Sequence, residues 1–187
     1  HNVLVVGSSP TGPTKFNVNK FMNKIFDTFL YYDEDLMLEI RLNILNNYVD
    51  YFVILECDHD FNGKYKGFNF DLNKFSKFQE KIIFIKYSIN KSIINKNKDP
   101  WFIHDSSRDE IFSKLKIADE EDFIIHSDAD EIPNPLFLNK NNLKNKIYIF
   151  EQKMFFFKFN FLETEHFWLK SKMCKKNTLN LYHGFDG

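Results

Sequence analysis

Apolar residues come in short clusters separated by polar connectors, and the period of each cluster predicts its geometry. Residues 25–32 are β-branched and aromatic, which predicts a strand. Residues 36–45 carry apolar side chains at 37, 40 and 44 and again at 38, 42 and 45, the spacing of a helix. Asp33, Glu34 and Asp35 precede it, acids that suit the positive end of a helix dipole. Residues 51–56 and Ile82–Tyr87 are continuous apolar runs, the pattern of strands covered on both faces. Between them, residues 58–67 read as a polar loop and 71–81 as a helix presenting Phe75 and Phe78. Residues 88–99, rich in Asn, Lys and Ser, read as a surface loop. Pro100 suits the first position of a helix that continues through residue 115. Phe123–His126 is a fourth buried strand. A short helix near Pro135–Leu138 follows, then strands at Ile147–Phe150, 154–161 and 167–169.

Strands and helices alternate up to residue 127, and strands predominate afterwards. That order predicts an α/β fold: a mostly parallel central sheet, helices on both faces, and an antiparallel C-terminal extension. In open sheets of this kind ligands bind beyond the carboxyl ends of the parallel strands. Three acidic segments follow predicted strands, namely 32–35, 56–60 and 127–131, and they are the places to look for chemistry.

Composition narrows the picture. A chain of 187 residues suits one domain with a core of its own. A net charge of −1, with lysine spread along the chain, gives no reason to expect a nucleic-acid partner. Two cysteines, Cys57 and Cys174, are too few for a disulfide framework and lack the spacing of a zinc site. No apolar run approaches the roughly 20 residues that span a bilayer, and no signal peptide is visible, so a cytoplasmic location is expected. Residues 1–21 read as a linker, an expression scar or an upstream tail. The domain is expected over 22–187, with Met22 as a natural start and the C-terminus cut short.

Within Ser127-Asp-Ala-Asp-Glu-Ile-Pro133, the acids Asp128 and Asp130 stand two residues apart. In an extended segment that spacing points both carboxylates to one side. Hard oxygen donors of this kind suit Mn²⁺ or Mg²⁺. An isolated pair of this type is more often a surface acidic turn. Here it ends a buried strand and is stopped by Pro133, and like charges packed together call for a cation.

The segment resembles the D-x-D-E-I-P signature of the family-17 glycosyltransferases. Ile25-Phe-Asp-Thr-Phe-Leu30, Leu36-Met-Leu-Glu-Ile-Arg-Leu42 and Val49-Asp-Tyr-Phe-Val-Ile-Leu-Glu56 are similar to that family's opening strand, helix and second strand, and Phe61-Asn-Gly-Lys64 to the loop that follows. The resemblance covers roughly residues 24–170 in order. It implies a GT-A-type fold, Mn²⁺ or Mg²⁺, a UDP-sugar donor with GlcNAc as the sugar, and inverting transfer to a glycan hydroxyl. Departures are Asp60 where the family has Thr, Trp168-Leu-Lys170 in place of W-x-G, and a missing Gly-Trp-His-Phe-Ser stretch for which Tyr182-His-Gly-Phe-Asp186 is no good substitute.

On this reading Asp128 and Asp130 hold the metal, and Glu56, Arg108, Asp109 and Asp128 face the donor. Arg41 braces a carboxylate near the site or is merely exposed. Glu163 and Glu165 are candidates for the general base. Trp101 and Phe155-Phe-Phe157 read as core, His126 as structural, and His59 and His166 as poor ligands. Two rivals stay open: a phosphotransferase of the HAD type with Asp128 as nucleophile, and a non-catalytic relative that binds a nucleotide sugar or a partner protein.

Overall fold

The structure is a computed structural model that describes residues 3–6, 23–97, 99, 101–156 and 160–181. Met22, Pro100, Phe157 and the 182–186 segment lie outside the described residues, as do 1–2 and 7–21.

The described strands are β1 (Val3–Val6), β2 (Ile25–Leu30), β3 (Tyr51–Cys57), β4 (Ile82–Tyr87), β5 (Phe123–His126), β6 (Ile147–Phe150), β7 (Phe155–Phe156), β8 (Phe161–Leu162) and β9 (Lys172–Lys175). The helices are α1 (Asp35–Leu45), α2 (Lys91–Lys96), α3 (Phe102–Lys114) and α4 (Lys176–Leu181). Among the described residues seven strands form one sheet in the order β1-β6-β9-β5-β2-β3-β4, and β7 and β8 make a separate small hairpin. Strands β4, β3, β2 and β5 are mutually parallel. Strand β9 runs antiparallel to both β5 and β6, and β1 antiparallel to β6.

The chain moves outward from β2 through β3 to β4, then returns to place β5 on the other side of β2. The order therefore reverses between β2 and β5, the position where open parallel sheets leave a crevice for ligands. Strand alternation divides the core. Ile25, Phe29, Phe52, Ile54, Phe123 and Ile125 face α1, which contributes Leu38, Leu42 and Leu45. Phe26, Val53, Leu55 and Ile124 face the other way and meet Ile111 of α3 and Leu179 of α4. Helices thus cover both faces of the sheet, each through an apolar stripe.

Several elements differ from expectation. Residues 72–78 form tight 3₁₀ turns rather than an α-helix, and Phe75 breaks the helical path while still burying its ring. The 88–99 loop contains α2, started by the Asn90 side chain accepting from Ser92 N–H at 2.9 Å. In place of the expected strand at 167–169, Trp168 forms an isolated bridge with Gln152. Phe155 and Phe156, expected in the core, are exposed on the hairpin. Val3–Val6, expected to belong to a linker, is an edge strand. Strand β9 was not anticipated at all, although it lies inside the sheet between β6 and β5. Its sequence is Lys-Met-Cys-Lys, and only Met173 and Cys174 are fully buried.

Candidate functional site

A cavity of about 560 Å³ opens at the carboxyl ends of β2, β3 and β5. Its walls include Tyr31, Tyr32 and Glu34 after β2, Cys57, His59, Phe61 and Lys66 after β3, Trp101, His104 and Ser107 on and before α3, and Asp128, Ala129 and Asp130 after β5. The three acidic strand ends singled out from sequence therefore converge, although they contribute unequally.

The 127–131 segment is held from below by Arg41, which is fully buried. Residues 25, 27 and 29 share a strand face, so Asp27 and Phe29 both meet α1. Arg41 grips Asp27 with two hydrogen bonds, Nε to Oδ2 at 2.8 Å and Nη2 to Oδ1 at 2.7 Å. The Phe29 ring lies 4.4 Å from its guanidinium carbon. The remaining donors reach the acidic segment: Nη1 to Asp128 O at 2.8 Å and Ala129 O at 3.2 Å, and Nη2 to Ser127 Oγ at 2.7 Å. Only a planar fork with donors on several edges can hold a carboxylate and a loop backbone at once, which lysine cannot do. Arg41 thus fixes the acidic segment through its backbone, leaving the Asp128 and Asp130 side chains to face the cavity.

Asp128 and Asp130 meet the cavity by a different geometry from the extended one. The chain turns at residues 129–130, and Glu131 N–H closes the turn on Asp128 O at 3.0 Å. Glu131 then folds back: its carboxylate accepts from Asp128 N–H at 3.0 Å and from Trp168 Nε1. Burial pushes the Glu131 carboxyl up. The three acids are therefore dispersed rather than stacked, with Glu131 beneath the turn, Asp128 half-buried and Asp130 exposed on the cavity wall.

Asp128 already has two nitrogen partners. Arg108 Nη2 donates to Asp128 Oδ1 at 2.9 Å, and His104 Nε2 stands 4.0 Å from the same oxygen. The facing His104 and then Arg108 outweigh the cost of burial and hold the Asp128 carboxyl down at about 2. Reciprocally, Asp128 raises the His104 imidazole above its ordinary value. Sequence reasoning found Arg108 but missed His104. The signal was available, since residues four apart on a helix share a face.

Other expected site residues fall elsewhere. Glu56 is fully buried and is not a cavity wall. Its carboxylate accepts from Lys66 Nζ, from Asn69 N–H at 2.8 Å and from Phe70 N–H at 3.0 Å. It anchors the 58–70 loop from inside, and Lys66 from that loop lines the cavity while lying over the Tyr32 ring at 4.9 Å. Gly63 in this loop has φ +80°, and a Cβ there would meet Ile94 of α2 at 2.8 Å, so only glycine lets the loop lie this close. Asp109 is exposed and lines no part of the cavity. Glu163 and Glu165 lie in the loop after β8, where Glu163 Oε1 accepts from Glu165 N–H at 2.7 Å, also away from the cavity. His126 is structural, as expected: it is buried, pairs with Thr28 Oγ1 at 2.9 Å, and burial brings its imidazole down to about 3.

Aromatic rings form the cavity mouth. Trp101, expected in the core, is 65% exposed there, and Phe61 is 52% exposed. Tyr32 and Phe61 lie nearly parallel with centroids 6.4 Å apart, and His104 meets Phe61 and Trp101 edge-on at 5.7 and 5.8 Å. Such faces can stack on a planar base or on the C–H face of a sugar ring. No described helix is long and apolar enough to cross a membrane.

A family model described as "Glycosyltransferase family 17" matches residues 14–184, most of the chain. Comparison with curated proteins and with solved structures gives no match.

Proposed function

The chain belongs to glycosyltransferase family 17, and from that premise we propose that it transfers a sugar from a UDP-sugar donor to a glycan hydroxyl, with the donor in the cavity above β2 and β5. The observation that carries this reading is the convergence of Asp128 and Asp130 with three aromatic rings in one cavity at the point where the strand order reverses. A GT-A-type fold, GlcNAc as the sugar and inversion at its anomeric carbon belong to the same reading. A phosphotransferase of the HAD type loses its support once the family is known.

The residues fit a hard divalent ion. Asp130 offers an exposed carboxylate to the cavity, and Asp128 is ionised at any working pH. Mn²⁺ or Mg²⁺ held by these two would neutralise charge developing on a diphosphate leaving group. The protein's own part is separable from the ion. Arg41 fixes the backbone of the turn that carries both acids. Arg108 adds positive charge beside Asp128, where it would offset the diphosphate as well as the acid, and His104 faces the same carboxylate oxygen. Tyr32, Phe61 and Trp101 offer stacking faces to the base and the sugar.

The test is calorimetry of UDP binding with and without Mn²⁺, on the wild type and on Asp130→Ala. Metal-dependent binding should vanish in the variant while its unfolding midpoint stays in place. Undiminished binding would remove Asp130 from the metal site. Sugar transfer screened over UDP- and GDP-sugars then separates an enzyme from a relative that only binds the donor.

A further inference from the structure

We propose a second metal site, separate from the Asp128 turn, in which Cys57, Asp58 and His59 at the end of β3 hold a thiophilic divalent ion of the Zn²⁺ class. Consecutive side chains in a straight strand point to opposite faces and cannot meet. Here the chain bends at Asp58 directly after β3, and His59 forms a bridge to Tyr65 across the loop. The bend gathers one donor atom from each residue, all within 4.8 Å of one another.

The distances are close to those of a coordination shell. His59 Nδ1 lies 2.6 Å from Asp58 Oδ1, and Cys57 Sγ lies 3.9 Å from the same oxygen. In a tetrahedral zinc site, N–O and S–O edges are roughly 3.4 to 3.6 Å, from metal–ligand lengths of about 2.0 to 2.3 Å. Opening one edge by less than an ångström and closing the other by a few tenths completes three corners. All three side chains are buried. Asp58 is itself oriented by Ile89 N–H at 3.3 Å, the outer hydrogen bond that metal-binding carboxylates commonly keep. Cys57 and His59 line the cavity, which supplies a path of entry and an open fourth position. Sulfur and imidazole select zinc over the hard ions proposed for Asp128 and Asp130. Binding moves the His59 ring proton from Nδ1, where it now bonds Asp58, to Nε2 and releases the Cys57 thiol proton to solvent, so affinity falls as pH falls.

The experiment uses the whole chain, reduced and stripped with chelator, titrated with Co²⁺ as a spectroscopic substitute for Zn²⁺. A sulfur-to-cobalt charge-transfer band and tetrahedral visible bands should saturate at one ion per chain and disappear on adding Zn²⁺. Cys57→Ser should abolish the charge-transfer band, and His59→Ala should weaken cobalt binding at least tenfold. Cys174→Ser and Asp130→Ala should leave the bands unchanged. X-ray absorption of the zinc-loaded wild type should show sulfur and imidazole in the first shell, a reading independent of any variant's folding. A spectrum without the charge-transfer band, a band that survives Cys57→Ser, or a first shell of oxygens alone would overturn the site. Because Asp130→Ala retains these bands and loses UDP binding, the two metal proposals succeed or fail separately.

Discussion

The ends of β3 and β5 look alike in sequence, each a buried apolar strand running into acids, yet the fold uses them in opposite ways. As the penultimate residue of β3, Glu56 points inward and is saturated by Lys66, Asn69 and Phe70. After β5, Asp130 stays exposed and Asp128 half-exposed, because Arg41 takes the backbone carbonyls and leaves the carboxylates alone. Burial and the identity of the donor decide whether an acid is scaffold or site; its charge and its position at a strand end do not. The acid that braces a site should fail by unfolding, and the acid that serves it should fail by losing ligand.

Arg41 joins both roles, so its loss should have the largest effect. Arg41→Ala strands Asp27 in the core without a partner and releases the 127–131 turn. Removing one half of a buried pair costs about 3–5 kcal/mol. Urea denaturation should show a destabilisation of that order, and Arg41→Lys should recover little of it because an ammonium lacks the fork. A loss under about 1 kcal/mol, against that expectation, would mean Asp27 finds another donor.

Glu56→Ala comes next and separates the two strand ends directly. It leaves two backbone N–H groups without their acceptor and Lys66 with only the longer bonds to Gly67 O and Tyr32 O, for which about 3 kcal/mol is expected. Asp130→Ala should change stability by no more than about 0.5 kcal/mol, as exposed substitutions do. Comparable unfolding midpoints in the two variants would erase the distinction.

Trp168→Phe probes how the C-terminal loop grips the turn. The indole N–H is the donor that links the 151–170 segment to Glu131, and Gln152 Nε2 donates to Ile132 O at 2.9 Å nearby. Losing one hydrogen bond to a buried carboxylate should cost about 1–2 kcal/mol. Nucleotide binding should weaken as well, since Glu131 orients Asp128 N–H. Unchanged binding at reduced stability would confine the loop to a structural role.

Much of this was legible in the sequence wherever local period and burial agree. Ile82–Tyr87, Phe123–His126 and Ile147–Phe150 were read with their observed bounds, and α1 to within a residue. Strand β9 was not, because a four-residue strand with lysine at both ends carries almost no periodic signal. It is specified by its partners, pairing Lys172–Lys175 with Phe123–His126. The acidic turn was visible as a motif, while its shape was not, since the i→i+3 closure depends on Arg41, about 90 residues earlier in the chain. Glu56 and Trp101 exchanged expected places for the same reason. Whether a side chain faces the core or a cavity is decided by the loop packed over it, and that loop is distant in sequence.

The acid at the end of β2's connection lies between the two extremes and should give the smallest effect. Asp35 accepts from Lys74 Nζ at 2.6 Å and from Tyr31 Oη at 2.6 Å while remaining partly exposed. Lys74, and then Tyr31, hold its carboxyl below the ordinary value. A depressed carboxyl stabilises the fold above its unfolded-state pKa, and that contribution is lost as pH falls through the folded-state value. Lys74→Met should therefore move the Asp35 titration upward, part of the way to normal because Tyr31 still donates. The change is read from side-chain carboxyl NMR shifts. Lys74 is exposed, so solvent screens the pair, and denaturation above pH 5 should barely distinguish the variant from wild type. If the Asp35 titration stays where it is, Tyr31 alone holds the carboxylate, and Asp35 belongs with Glu56 as an acid held from inside the fold.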